Sequence, residues 1–332
     1  MTLAWAVIGT GRMAAQCTRA IIAAGDRVGW VVSSDAARAA AFAGEIGVDA
    51  VATTAIGDVR GADLAYVASP NDRHAGHVAE LGDLGLPVLC EKPLAVFAAE
   101  AREIAATVAA KGATVGVGFQ NRQHPAHRRA RELVADGFLG DLRMVTVSGC
   151  LPALDVPDWY ADPRVSGGGI LPMSGVHRVD LVRYIVGSDF AAVSATTTHF
   201  RAAAYDDSAT IAATLVNGAG VTFVFGLDAP YGDDRIALHG TEGTIIVEGT
   251  LSQWWSSTPG SLTTRDDDGT TTQSFEGVDT YRLQVEDFAR YAAGEPSSVA
   301  DVGDAIAVAE FNEAVYRSAE VAERVELGVR QP

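Results

Sequence analysis

Residues 4–25 read AWAVIGTGRMAAQCTRAIIAAG. The opening run, Ala4 to Ile8, is apolar without alternation, the mark of a strand buried on both faces. It runs into Gly9-x-Gly11-x-x-Ala14, and an Ala-rich helical pattern (13–25) follows at once, with Gly25 as its stop signal. Strand, glycine turn and helix are the context in which this spacing carries meaning. Gly9 permits the tight turn, Gly11 lets the backbone approach a pyrophosphate at the positive helix N-terminus, and Ala14 replaces a third glycine. The stretch predicts the first βαβ unit of a dinucleotide-binding domain, with Gly9, Thr10, Gly11, Arg12 and Met13 against the cofactor. The alternative is a merely tight strand–helix turn.

Outward from this unit, apolar runs at 28–34, 63–69, 86–91 and 114–119 alternate with helical stretches at 35–47, 74–85 and 95–111. That rhythm predicts a doubly wound parallel sheet, an α/β Rossmann domain over 1–120. After residue 120 the pattern changes. A helix is expected at 124–140, and "LRMVTVS" (142–148) alternates polar and apolar residues. A glycine-rich loop at 166–169 precedes a helix over 175–186. Strand patterns follow at 191–200, 208–217, 220–227, 235–239 and 244–248, joined by turns such as "NGAG" (217–220). This predicts an α+β domain over 121–332 with an open, mostly antiparallel sheet. The segment 252–278 reads as loop or edge strand, and helices are expected at 281–293 and 303–322, the last packing back on the first domain.

A chain of 332 residues is long enough for two such cores. Its formal charge of −17 repels nucleic acid and anionic membranes, so neither is an expected partner. Cys17, Cys90 and Cys150 are scattered and odd in number, which fits a reducing cytoplasm better than a disulfide framework. No Cys/His spacing suits a metal, so none is expected. "MTLAWAVIGTG" lacks a basic leader and reads as the first strand rather than a signal peptide. No apolar run approaches the ~18 residues of a membrane span.

The second strand ends in Ser33-Ser34, where NAD-specific domains place an acid for the ribose hydroxyls. Short hydroxyls leave room for a 2′-phosphate, with Arg12 and Arg38 to pair it, so NADP(H) is favoured over NAD(H). The other reading has Asp35 serving NAD and both arginines solvated. "VASPNDRH" places Ser69, Pro70 and Asn71 after one strand, and "VLCEKPLA" places Glu91 and Lys92 after the next. Ligands bind outside the C-terminal ends of such strands. Two opposite charges there are explained by a cofactor and substrate, or else by a plain rim salt bridge.

These residues carry a resemblance. "VIGTGRMA", "VASPNDRHAGHV", "VLCEKPLA", "GFQNRQHPAHRRARELV", "SGGGILPMSGVHRVDLVRYIVG" and "HGTEGTIIVEG" occur in the order of the Gfo/Idh/MocA family, the glucose–fructose oxidoreductase and inositol dehydrogenase relatives. Within the family, "HPAHRRARELVADGFLG" and "HGTEGTIIVEG" lean toward the 1,5-anhydrofructose reductase branch. The resemblance implies an NAD(P)-dependent oxidoreductase moving a hydride at a secondary alcohol or ketone of a sugar, cyclitol or polyol. It also implies a homodimer or homotetramer built through the C-terminal sheet and a cis Lys92–Pro93 bond. Lys92 matches the family's proton-transfer lysine, Glu91 and His74 residues near the cofactor, Asn71 one near the nicotinamide ribose, and His177 the family histidine. Arg122 matches a position facing the substrate pocket.

Met173 departs from the pattern, standing where many members carry an aspartate. A thioether cannot do acid–base work, so a Lys–Asp–His relay reduces to Lys92 and His177. Asp180, seven residues on, would share its face in a continuous helix, but it matches a structural residue of the family. Trp159 and Tyr160 are read as walls for a sugar ring, with interdomain packing as the alternative. His124 and His127 are read as cap or surface residues. Two other functions stay open: a redox-neutral enzyme that cleaves or epimerises glycosides through transient oxidation, and a non-catalytic dinucleotide-sensing regulator.

Overall fold

Strand β1 (Ala4–Ile8) is buried along its whole length, as its unbroken apolar run requires. It opens an alternating series: α1 (Arg12–Ala23), β2 (Arg27–Val32), α2 (Ala36–Ile46), β3 (Val51–Thr53), β4 (Leu64–Val67), α3 (His74–Asp83), β5 (Val88–Cys90), α4 (Ala98–Lys111) and β6 (Val115–Val117). This computed structural model describes residues 2–152, 158–200, 205–229, 233–250 and 258–328. The six strands form one parallel sheet in the order β3-β2-β1-β4-β5-β6. Chain order reverses between β1 and β4, so the crevice for a ligand lies outside their C-terminal ends.

The strands are shorter than the apolar runs, because only residues that pair count and the run ends become the loops of the rim. The three-residue β3, at the sheet edge and with Val51 exposed, gave no periodic signal. Helix α4 starts at Ala98 rather than 95, where the Glu100 carboxylate accepts the Phe97 backbone N–H at 3.2 Å.

The second series runs α5 (Pro125–Ala135), β7 (Leu142–Cys150), α6 (Pro163–Ser166), α7 (Val176–Val186), β8 (Phe190–Thr198), β9 (Ser208–Leu215), β10 (Gly220–Gly226), β11 (Asp234–Gly240), β12 (Thr244–Glu248), β13 (Thr258–Asp266) and β14 (Gly269–Val278). Helices α8 (Thr280–Ala292) and α9 (Val302–Val321) and strand β15 (Val325–Glu326) complete the chain. Nine strands form the second sheet, β14-β13-β12-β11-β7-β10-β9-β8-β15. Among the described residues of this sheet, only β10 with β7 pairs in parallel. The hairpin β13–β14 sits at its edge, as the polar segment 252–278 suggests, although 251–257 lies outside the described residues. Along β10 burial alternates: Val221, Phe223 and Phe225 point into the core while Thr222 and Val224 stay exposed. Phe223 meets Phe190 and Phe311 at ring-centroid distances of 5.8 and 5.7 Å. Each such side chain contributes roughly 1.5–3 kcal/mol on full burial.

The chain divides into two compact units, Met1–Gln120 with Asp279–Ile306 and Asn121–Val278 with Ala307–Pro332. Helix α8 belongs to the first. Asp279 caps it by accepting from the backbone N–H groups of Tyr281 and Arg282 at 3.0 and 3.1 Å. Its buried Tyr281, Val285 and Phe288 join Trp5, Cys17 and Ile21 in one core cluster. Among the described residues no helix is long and apolar enough to cross a membrane.

Candidate active site

The glycine turn behaves as its spacing requires. Gly9 has φ +115°, and a Cβ there would lie 2.5 Å from the Ala68 carbonyl oxygen, so no other residue fits. Its N–H bonds to the Val32 carbonyl at 2.8 Å at the end of β2, and the Ala68 N–H just past β4 bonds to the Ile8 carbonyl at 2.8 Å. At Gly11, the N-cap of α1, a Cβ would meet no protein atom within 4 Å. That open backbone at a helix N-terminus is a cradle suited to a pyrophosphate. Thr10 and Met13 flank it half-buried, and Arg12 is exposed.

At the end of β2, Ser34 Oγ accepts from Arg38 Nη2 at 3.2 Å. Asp35 is engaged in capping α2, its Oδ1 accepting the Arg38 backbone N–H at 2.8 Å. Ser34, Asp35 and Arg38 are exposed and Ser33 is half-buried.

Beyond β4, Ser69 and Pro70 lead to the buried Asn71, which opens a 3₁₀ turn into α3. His74, fully buried, sets one ring nitrogen 2.9 Å from the Ser69 carbonyl and the other 2.8 Å from the Pro93 carbonyl. It bridges the two loops that carry Asn71 and Lys92. Burial lowers its pKa, with both carbonyl contacts opposing.

Beyond β5, Glu91 is 5% exposed and Lys92 half-buried, and the Lys92–Pro93 bond is cis. Glu91 turns inward. Its Oε1 accepts the Tyr66 hydroxyl, and its Oε2 accepts the Lys92 backbone N–H at 3.1 Å. Burial raises the Glu91 pKa; Tyr66 and Lys92 pull it down. Desolvation lowers the Lys92 pKa to about 8, against the opposing pull of Glu91. A lysine in that range can both give and take a proton near neutral pH.

The second unit holds the other expected site residues. A π turn over Leu171–Gly175 carries Met173, 3% exposed, and hands over to α7, whose second residue is His177, 5% exposed. The wider π turn breaks the continuous helix on which a shared face for Met173 and Asp180 depends. Asp180 instead receives Arg122: Nε to Oδ2 at 2.8 Å and Nη2 to Oδ1 at 2.5 Å, both residues buried. The Arg122 guanidinium also lies 5.0 Å from the Tyr184 ring centroid. The Trp159 and Tyr160 rings stack on each other at 4.6 Å, half-buried; Val156 and Pro157 before them lie outside the described residues.

The glycine loop is pinned by Asp206, which accepts from the backbone N–H groups of Gly169 and Ile170 at 3.0 and 3.1 Å. His124 caps α5, accepting the Ala126 N–H at 3.2 Å, as a helix-cap residue should. His127 is no surface residue: it is fully buried, with Nδ1 2.7 Å from the Asn121 carbonyl and Nε2 3.1 Å from Thr250 Oγ1.

Tyr66 belongs to none of the sequence motifs. In "LAYV" it sits in an apolar run like any core residue. The signal was there, because a hydroxyl inside a strand buried on both faces must find a partner.

A parallel sheet with its glycine turn at the switch point, and an acid–lysine pair on the same rim, define a dinucleotide-dependent oxidoreductase. Comparison with known proteins agrees. Residues 3–119 match the model of the oxidoreductase family with an NAD-binding Rossmann fold, and residues 127–246 that of the GFO/IDH/MocA C-terminal domain. The chain is similar to the D-xylose 1-dehydrogenase (NADP(+)) 2 of Haloferax volcanii, 31% identical over 304 residues that cover 90% of this chain and 91% of that one. It is 28% identical to the 1,5-anhydro-D-fructose reductase of Ensifer adhaerens, covering 90% and 91%. An oxidoreductase domain protein from Kribbella flavida has the same fold, with TM-score 0.87, 25% identity and coverage of 99% and 100%. The chain belongs to the Gfo/Idh/MocA family of oxidoreductases.

Proposed function

We propose that this NAD(P)-dependent oxidoreductase interconverts a secondary alcohol and a ketone on a sugar, cyclitol or related polyol, with Lys92 as the proton donor and acceptor. The observation that carries the reading is the placement of Lys92 at the end of β5, half-buried and with its pKa lowered to about 8. The names of the similar dehydrogenases and reductases support the substrate class.

The cofactor is held by Gly9, Thr10, Gly11, Arg12 and Met13, with Ser69, Pro70, Asn71, His74 and Glu91 on the same rim. When bound, the nicotinamide supplies the hydride acceptor or donor. Lys92 Nζ takes the hydroxyl proton during oxidation and returns it during reduction. His177 is the second proton-transfer candidate, on the strength of its place in the motif. Met173, Trp159 and Tyr160 are proposed substrate contacts. Arg122 serves the same side by gripping Asp180 and fixing α7.

NADP(H) is favoured over NAD(H). The Arg38–Ser34 contact supports this, as does the use of Asp35 as a helix cap rather than as a ribose ligand. A homodimer or homotetramer through the open face of the second sheet, in the cytoplasm, completes the proposal. The exposed Thr222, Val224 and Met144 on that sheet support the interface.

A screen of sugars and polyols with NAD⁺ and NADP⁺, and of ketosugars with NADH and NADPH, tests the function by the absorbance of the reduced nicotinamide. Turnover with no compound of either set, or an unchanged kcat in Lys92→Met, defeats it. Cofactor recovered unchanged after glycoside cleavage would point to redox-neutral chemistry instead.

A further inference from the structure

Behind Lys92 and the rim residue Glu91 lies a line of buried polar groups that the proposed mechanism does not use. Tyr66, in the middle of β4, is fully buried and donates its phenolic proton to Glu91 Oε1. The other carboxylate oxygen accepts the Lys92 backbone N–H at 3.1 Å. On the far side, Cys17 of α1, also fully buried, lies in the same core cluster as Tyr66. Tyr281 of α8 accepts a hydrogen bond from Gln120 Nε2 at 3.0 Å and lies in the same core cluster as Tyr66.

A phenol has one proton to donate. The contact with Glu91 uses it. Glu91 therefore has a donor on each oxygen, one from the neighbouring strand and one from the lysine's own backbone. Those two donors offset the desolvation that would otherwise keep a buried carboxyl neutral.

We propose that Tyr66 is a positioning residue for the reaction: its hydroxyl holds Glu91 ionised and oriented, and Glu91 in turn sets the proton affinity of Lys92. The inference rests on the reading of Lys92 as the proton-transfer group, but its test does not depend on that reading. The groups that face Glu91 are Tyr66 of β4, Cys17 of α1, Cys90 of β5, Tyr281 of α8 and Lys92. Burial raises the pKa of Cys17, Cys90, Tyr66 and Tyr281 well above the ordinary values, so all four stay neutral near pH 8. Glu91 and Lys92 are the two members of this set that change charge. Arg12 and Asp279 act on Tyr281 from further out.

Without the Tyr66 hydroxyl the Glu91 carboxylate is harder to ionise. A neutral Glu91 no longer favours the ammonium, so the Lys92 pKa falls. In the direction of alcohol oxidation, where Lys92 must start as the free amine, the rising limb of kcat/KM moves to lower pH. A residue that merely filled space would change the height of the profile and leave its position alone.

Trace acetylation of the full-length protein with acetic anhydride across pH, read at Lys92 by mass spectrometry with and without NADP⁺, reports the fraction of free amine whether or not the enzyme turns over. The wild-type midpoint is expected near the lowered Lys92 value of about 8. Tyr66→Phe should move it down by about half a unit to one unit, and Glu91→Gln by at least as much. Tyr66→Phe should add nothing further in the Glu91→Gln background. Tyr281→Phe, which removes a buried hydroxyl of the same kind from α8, should leave the midpoint in place. The inference is overturned by an unmoved midpoint in Tyr66→Phe, by an equal shift in Tyr281→Phe, or by a Tyr66→Phe shift that persists without Glu91. If Tyr66→Phe does not fold, the near-isosteric Glu91→Gln decides, and an unmoved midpoint there is equally fatal. Turnover that survives Lys92→Met would remove the catalytic reading and leave these titrations standing.

Discussion

Arg122 and Asp180 form a two-pronged ion pair inside the second unit, with N–O distances of 2.8 and 2.5 Å and side-chain exposures of 6% and 1%. It joins the segment before α5 to the middle of α7, the helix that carries His177. Removing one partner strands the other charge in the core. Asp180→Ala is expected to destabilise the protein by about 3–5 kcal/mol, whereas the double change Arg122→Met with Asp180→Leu should recover most of that loss. Thermal melts of the three proteins check it.

The two glycines of the phosphate turn should fail in different ways. Gly9→Ala forces a Cβ to within 2.5 Å of a backbone oxygen at positive φ, and is expected to lower both Tm and cofactor affinity. Gly11→Ala meets no protein atom within 4 Å and should cost at most about 1 kcal/mol of stability through the lost glycine N-cap. It should still weaken NADP⁺ binding by about tenfold or more, about 1.4 kcal/mol, because the methyl group fills the cradle. Calorimetric titration beside a melting curve separates the two.

The pH dependence of turnover should follow Lys92. Its lowered pKa of about 8 means that oxidation of an alcohol, which needs the free amine, rises as pH climbs through that value and then levels off. Ketone reduction, which needs the ammonium, should fall through the same range. Steady-state profiles in both directions are the measurement, with a flat residual profile expected for Lys92→Met.

Cofactor choice is expected to turn on the end of β2. Ser34→Asp sets a carboxylate beside Arg38 and where a 2′-phosphate would lie. NADP⁺ should lose at least about tenfold in kcat/KM relative to NAD⁺, since an acid at this position favours ribose hydroxyls and repels phosphate. The ratio of the two kcat/KM values reads it directly.

His127 should make its own mark on acid stability. Burial, its neighbour His124 and Arg178 hold its pKa down to about 3, against an ordinary 6.5. Between these values the unfolded chain binds a proton that the folded chain refuses, so stability falls as pH drops through that window. His127→Gln, which cannot titrate, should flatten that part of the curve of Tm against pH.

Much of the first unit is legible in the amino-acid sequence. Parallel strands buried on both faces appear as unbroken apolar runs, and glycine turns and helix stops punctuate them. Ser69, Asn71, Glu91 and Lys92 fall on one rim because strand polarity alone decides which ends face the crevice. The short β3 and β15 leave no trace in the pattern, since two or three residues at an edge carry no period.

Local sequence determined the order of elements, the glycine turn and the site's composition, because those follow from periodicity and backbone stereochemistry over a few residues. Tertiary structure decided the partners. Tyr66 and Glu91 are 25 residues apart, and Arg122 and Asp180 are 58 apart. Only the pairing of β4 with β5 brings the first two together, and only the packing of the second unit joins the other pair. Whether a buried charge is satisfied depends on what lies across from it in space, and no local pattern encodes that.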